Sequence, residues 1–259
     1  MTRSPSDRAV QDVVIRALAD APFRASPEWR TRGLADPDRV ERYARFLARH
    51  FYYERIVQFF KYSRALARVT GRQPEAVLRQ PSFEALLPTL VLGSRDTARA
   101  VARLVVDYVS EPGVPVPYLG DLLRYEEAMM VVEAGPRVWS DAGRREAGRG
   151  ESEAPAVVEG TVILNLAFDL PAVLPQLLRP WTELPQAPER PTKLLVARSA
   201  HGRVAVARSD ERAAALVALA DGKRTLEQLA ASAGLAVAQL QETVESLVDL
   251  GAVRFSTGS

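Results

Sequence analysis

The sequence predicts a mainly helical α+β protein in two parts, an N-terminal all-α helical domain followed by a C-terminal α/β domain. Three observations carry this expectation. Up to about Ala134 the apolar residues recur at helical spacing, with no strand-like alternation and no internal repeat. The stretch 139–155, WSDAGRREAGRGESEAP, is rich in glycine, serine and charge and has almost nothing to bury, which marks a flexible linker. Beyond it, β-branched runs precede three short helical segments. The expected boundaries are a helical domain over 1–138, a linker over 139–155 and the second domain over 156–259.

At 259 residues, 47% of them hydrophobic, the chain is long enough to bury a core in one or two domains. The net charge of +2 and pI near 9.0 reflect an Arg-rich, Lys-poor balance rather than a polycation, so no basic tail for nucleic acid is present. With no cysteine, disulfides, thiolate catalysis and Cys-ligated metal sites are excluded. The start, MTRSPSDRAVQ, lacks the apolar core of a signal peptide, and no run reaches the length of a membrane span. A cytoplasmic protein that does not engage a membrane is the expectation.

In chain order, Ser6 or Asp7 caps a helix to about Ala19, with Val10, Val13, Val14, Ala17 and Leu18 on its inner face. Pro22 to Pro37 reads as irregular. Asp36-Pro37 opens the segment DRVERYARFLARHFYYERIVQFFKYSRALARVTG, which ends at Gly71. It is one long helix or two with a joint near His50–Tyr53. Nine basic residues between Arg39 and Arg72 face only Glu41 and Glu54. Either they form a solvated face whose Arg stems cover aromatic neighbours, or they dock on an acidic partner. A short helix within Pro81–Gly93, one capped by Ser94 with Val101, Leu104, Val105 and Tyr108 inward, and a last one from Tyr118 to Ala134 complete this half.

In the second half, Val157–Asp169 reads as one strand ended by Pro171, and Pro180–Pro191 as a proline-rich connection. Lys193–Arg198 and Arg203–Arg208 flank the turn Ser199–Gly202 as a β-hairpin. A helix from about Asp210 to Ala220 stops at Asp221-Gly222. Thr225 with Gln228 makes a capping box for the next, which Gly234 ends. The third runs from Val237 to Leu250 with Leu240, Val244, Leu247 and Val248 as its apolar stripe, and Gly251 stops it before a short strand, Ala252–Phe255. A hairpin plus three short helices is a winged-helix layout.

Chemistry is sparse. His50 and His201 stand alone, without a partner at metal-ligand or triad spacing, and no glycine-rich phosphate loop or G-x-S-x-G elbow occurs. Glu126 and Glu127 are adjacent on a helix and point about 100° apart, so they cannot share a substrate. No catalytic residue, metal ligand or cofactor is therefore nominated, and a self-sufficient enzyme is not expected. DNA is the usual ligand of a winged helix, and a DNA-binding transcriptional regulator is the alternative reading. The third helix, however, carries Glu242, Glu245 and Asp249 and no Lys or Arg, which the phosphate backbone would repel. An extended peptide that adds a strand beside Val204 and Val206 suits this face better, whereas nucleic acid does not. Whether that edge is free or covered by the chain itself stays open.

The segment LVALADGKRTLEQLA together with ETVESLVDLGAVRF resembles the RiPP recognition elements, PqqD-like winged-helix domains that bind leader peptides of ribosomally made natural products. RYARFLARHFYYERIVQFFKYSRALARVTG and VPYLGDLLRYEEAM look like the partner proteins of multinuclear non-haem iron-dependent oxidases. The resemblance implies a heterodimer with a separate TIM-barrel oxidase that holds the iron, while this chain captures the precursor peptide. It implies peptide contacts at Arg203, Val204, Ala205, Val206, Ala207 and Arg208 and at Leu240, Thr243, Val244 and Leu247. The implied partner interface is Tyr118, Leu119, Leu122, Tyr125 and Glu126.

Overall fold

A computed structural model describes residues 5–31, 36–110, 116–134, 154–199, 201–234 and 236–256. The chain is mixed α+β and mainly helical, and its contacts divide it into two compact units, Met1–Val116 and Pro117–Ser259. Residues 139–153 of the expected linker lie outside the described residues, while Ala154 and Pro155 begin a strand.

The described part of the first unit is helical. Helix α1 (Pro5–Ala19) leads into α2 (Ala21–Ala25) and α3 (Pro27–Arg30). These two short helices occupy the stretch expected to be irregular, and the physical reason is capping. Asp20 accepts the Phe23 N–H and Ser26 accepts the Trp29 N–H, each followed by a proline whose fixed φ suits the first turn. Asp36 caps α4 (Pro37–Phe59) in the same way, and the helix passes His50–Tyr53 without a joint. It breaks at Phe60, and α5 (Lys61–Ala65) and α6 (Ala67–Thr70) follow, closed by Gly71 in the left-handed region. Two 3-10 helices, Pro74–Arg79 and Leu87–Thr89, flank α7 (Pro81–Leu86), and α8 (Arg95–Ser110) follows as the last helix of this unit among the described residues. Its buried side chains include Tyr52, Ile56, Phe60, Phe83, Val101 and Val105, and Tyr52 meets Phe83 edge-on at 6.5 Å. Ala17, Phe23 and Trp29 form a second cluster that Val13 and Val40 pack against.

In the second unit, α9 (Leu119–Glu133) precedes β1 (Ala154–Val157), β2 (Val162–Leu166), α10 (Leu170–Leu177), β3 (Thr192–Arg198) and β4 (Val204–Arg208). Then come α11 (Glu211–Leu219), α12 (Leu226–Ala233), α13 (Val237–Leu250) and β5 (Val253–Ser256). The single strand expected over Val157–Asp169 is two strands, because Gly160 turns the chain at φ 93°. β1 leaves to pair antiparallel with β5, and β2, β3 and β4 form an antiparallel meander.

The meander is covered on both faces. Leu195 and Ala197 of β3 point into a core with Leu216, Leu229, Leu240, Val244 and Leu247 from the three helices α11–α13. Val196 points the other way, into a cluster with Ala128 and Val132 of α9, joined by Val162, Leu164, Val204 and Val206. Successive strand residues face opposite sides, so a strand buried throughout from Leu194 to Ala197 needs a layer above and a layer below. Helix α9, which the sequence reading assigns to the helical half, supplies one of them. Asp121 fixes it further by accepting the Ala167 and Phe168 N–H groups at 2.6 and 3.0 Å, and Arg124 donates to the Asn165 carbonyl.

The capping box at Thr225 and Gln228 is formed, and Gly234 and Gly251 end α12 and α13 in the left-handed region. At Gly251, φ is 84° and an added Cβ would lie 2.4 Å from the Arg198 carbonyl oxygen. Replacement by alanine therefore meets both a strained φ and a backbone clash that no rotamer relieves. Gly251→Ala is expected to cost roughly 2 kcal/mol or more, read from the urea midpoint, whereas Gly234→Ala, with open space around it, costs about 1 kcal/mol.

Candidate functional site

Strand β4 is short, Val-Ala-Val-Ala-Arg, and follows a tight turn in which the Gly202 N–H donates to the Ser199 carbonyl at φ 74°. Its register against β3 pairs Val206 with Val196 and Ala205 with Ala197. Two hydrogen bonds at the ends of the hairpin set the direction of every backbone group between them. Ser199 N–H donates to Arg203 C=O at 2.8 Å, and Ser209 N–H donates to Lys193 C=O at 2.9 Å. In an antiparallel ladder, bonded and non-bonded pairs alternate. Arg203, Ala205, Ala207 and Ser209 therefore turn their N–H and C=O groups toward β3. Val204, Val206 and Arg208 turn theirs away from it. Among the described residues no strand pairs with that outer side, since β2 lies on the opposite side of β3 and β1 pairs with β5. Among the described residues the chain's other strands thus leave this edge unpaired.

The side chains differ from the backbone in their allegiance. Val204 and Val206 are half-buried and pack toward α9, not toward solvent. At the far end of the strand, Arg208 donates to Asp169 Oδ1 at 2.5 Å, and Arg190 donates to Oδ2 of the same carboxylate. Asp169 is buried, while both guanidiniums remain more than half exposed. Burial raises its pKa, but the hydrogen bonds and charge of Arg190 and Arg208 outweigh this and hold the carboxyl below its usual range. With two cations on one anion, this end of the edge keeps a net positive charge. Arg203, exposed, stands at the other end.

The expected peptide contacts are not all brought together. Arg203 to Arg208 form the edge. Leu240, Val244 and Leu247 do not face a groove, because all three are buried in the core beneath the sheet; Thr243 is half-buried. The apolar stripe of α13 is the inner face of the helix bundle, so a peptide reaches only its exposed side, where Glu242, Glu245 and Asp249 lie. The expected partner interface is likewise unavailable for the most part. Tyr118, Leu122, Tyr125 and Glu126 are buried, and Leu119 is half-buried. The Tyr118 hydroxyl donates to the Pro185 carbonyl at 2.6 Å, and its ring meets Phe168 edge-on.

His50 is exposed and stacked on Phe46, and His201 is exposed in the hairpin turn. Among the described residues no group of three His, Asp or Glu side chains is placed to hold a metal ion, and no helix is long and apolar enough to cross a membrane. The Asp169 clamp escaped sequence reasoning. Asp169 before Leu170-Pro171 carries the signature of a helix N-terminus, but its arginines are 21 and 39 residues distant, beyond any local pattern. No family model matches the chain, and no curated protein matches it.

The clamp predicts a pH dependence. A carboxyl whose folded pKa is depressed stabilises the fold above its unfolded value and loses that contribution as pH falls through the folded one. Asp169→Asn is expected to lower the urea midpoint at neutral pH, with the gap to the parent closing as pH drops below about 4. A gap that stays constant down to low pH would show the clamp to be electrostatically silent.

Proposed function

We propose that the chain is a non-catalytic subunit that binds the leader of a ribosomally made precursor peptide by strand addition to β4. It presents the peptide's core to a separate TIM-barrel iron-dependent oxidase, which carries the iron. The observation that supports this reading most is the one-sided pairing of β4, with the outward N–H and C=O groups of Val204, Val206 and Arg208 available to a second chain. Strand addition takes its affinity from such main-chain groups and its selectivity from the side chains beside them. The rigid backing of the edge matters as well. β4 is held by β3 and by α9, so little ordering entropy is spent when a peptide arrives.

The same geometry disfavours the DNA-binding alternative. The exposed charges of α13 are all acidic, and the helix carries no cation to meet a phosphate.

Proline substitutions test the edge without dismantling the fold. Val206→Pro removes an outward N–H, a position at which an edge strand tolerates proline. It also places the ring where the peptide backbone would lie. A labelled synthetic leader, drawn from any short precursor frame found beside the gene, is expected to bind this variant about tenfold more weakly, the loss of one hydrogen bond plus a clash. The circular dichroism spectrum should match the parent's, with the thermal midpoint lowered only by the lost packing of Val206 on α9. Ala205→Pro removes an inward N–H and is expected to destabilise the hairpin itself by about 1–3 kcal/mol. Undiminished binding by folded Val206→Pro would exclude strand addition at β4. Co-expression with a candidate TIM-barrel oxidase and precursor peptide, read by mass spectrometry, then tests presentation: the mass change should require both this chain and the oxidase.

A further inference from the structure

Seven large hydrophobic side chains stand well exposed among the described residues, and five of them lie on α1 and α4, which pack together. Val10 and Ile15 are 61% and 63% exposed, Tyr43 and Phe46 52% and 60%. Ile15 apart, they are not scattered singly. Val10, Val14 and Leu18 recur every four residues along α1, and Val40, Tyr43 and Phe46 every three along α4, so each set forms a row on one helix face. Between the rows runs a groove of about 690 Å³ lined by Val14, Leu18, Val40, Tyr43 and Phe46. One wall is built of rings in contact. Tyr43 stacks on Phe46 at 6.2 Å and 19°, and Phe46 stacks on His50 at 6.2 Å and 3°.

The rim is cationic. Arg39 and Arg42 line the groove, are exposed, and have no ion-pair partner among the described residues. Nearby, Arg24 and Arg45 share the single carboxylate of Glu41, at 2.8 and 2.9 Å, which leaves that triplet with a net positive charge too. An apolar floor whose rim arginines make no ion pair among the described residues is complementary to an apolar ridge with acidic flanks.

We propose that this face of α1 and α4 is a docking groove for an amphipathic, acid-flanked helix of a partner protein. A helix laid in the groove covers the aromatic wall with its apolar stripe, while its Glu or Asp side chains reach Arg39 and Arg42. A symmetric pairing of two copies brings the same basic rim to the interface from both sides, and that doubled positive charge opposes an isologous dimer. A lipid surface requires a convex apolar edge that enters the bilayer, whereas this face is concave and its rings lie against one another along the helix. The groove belongs to the first unit and owes nothing to β4, so the proposal stands independently of the peptide-binding reading.

The test uses the full chain and two fluorescein-labelled helical peptides of about 18 residues, five turns. Both carry leucine at i, i+3, i+4 and i+7; one has glutamate on the flanks and the other lysine. Fluorescence anisotropy at low salt is expected to show the glutamate peptide binding at least tenfold tighter, with the difference shrinking as salt is added. The double variant Arg39→Glu/Arg42→Glu should reverse the preference. Phe46→Ser, at a ring that is mostly exposed, should weaken the glutamate peptide at least tenfold with an unchanged circular dichroism spectrum. Failure of the glutamate peptide to bind, or equal binding of both peptides, overturns the proposal. So does sedimentation showing a dimer that Phe46→Ser dissolves, which assigns the face to a second copy. Capture by vesicles of phosphatidylcholine with a quarter phosphatidylserine, without peptide binding, reassigns it to a lipid surface.

Discussion

The second unit depends on one constraint: strand β3 is buried on both sides. Leu194, Leu195, Val196 and Ala197 are each almost inaccessible, and a strand with no polar face must find cover above and below. The three helices α11–α13 cover one face, and α9 covers the other. This requirement draws a helix from before residue 134 into the same body as strands that begin at residue 154. It also explains the polar ties of Asp121 and Arg124, which hold α9 to the end of β2 and the turn beyond it.

Covering both faces leaves the edges as the places where backbone polar groups meet the surroundings. β2 occupies one side of β3 and β4 the other, so among the described residues the outer sides of these two strands end the ladder. An uncovered edge is a hazard as well as a site, because any extended chain can pair with it. Here β4 is kept to five residues and is bracketed by arginines, Arg203 before it and Arg208 at its end. Positive charge at both ends discriminates against cationic chains and against a second copy of the same edge. The Asp169 carboxylate holds Arg208 and Arg190 in place without cancelling their charge.

Much of the fold was legible from local signals. The capping box at Thr225, the glycine stops at Gly234 and Gly251, the Asp36 cap and the hairpin around Gly202 each act within a few residues, and each is formed. What escaped was nonlocal. The stripe Leu240, Val244 and Leu247 has the same spacing whether it lines a groove or a core, and only the arrangement of α11 and α12 decides for the core. The helix of Tyr118 to Ala134 continues a run of helices in sequence, yet it packs on a sheet. One signal pointed there. Lys193–Arg198 reads Leu-Leu-Val-Ala without alternation, which a strand exposed on one face would not show. The edge itself was half legible: its residues were identifiable, but not which of their backbone groups face outward, because that depends on register.

The pairing of β1 with β5 carries a consequence for how the protein is made. Ala154 finds Ser256, and Val157 finds Val253, across about a hundred residues. Val157 and Val158 also donate backbone hydrogen bonds to the carbonyls of Ala220 and Ala252. A ribosome that has just delivered β1 must synthesise the whole meander and all three helices before the partner strand exists. Contacts of such long sequence separation form late and slowly. During that interval the nascent unit has an unclosed end, and a chaperone or protease meets a half-finished body. The last strand, only four residues long, acts as the latch.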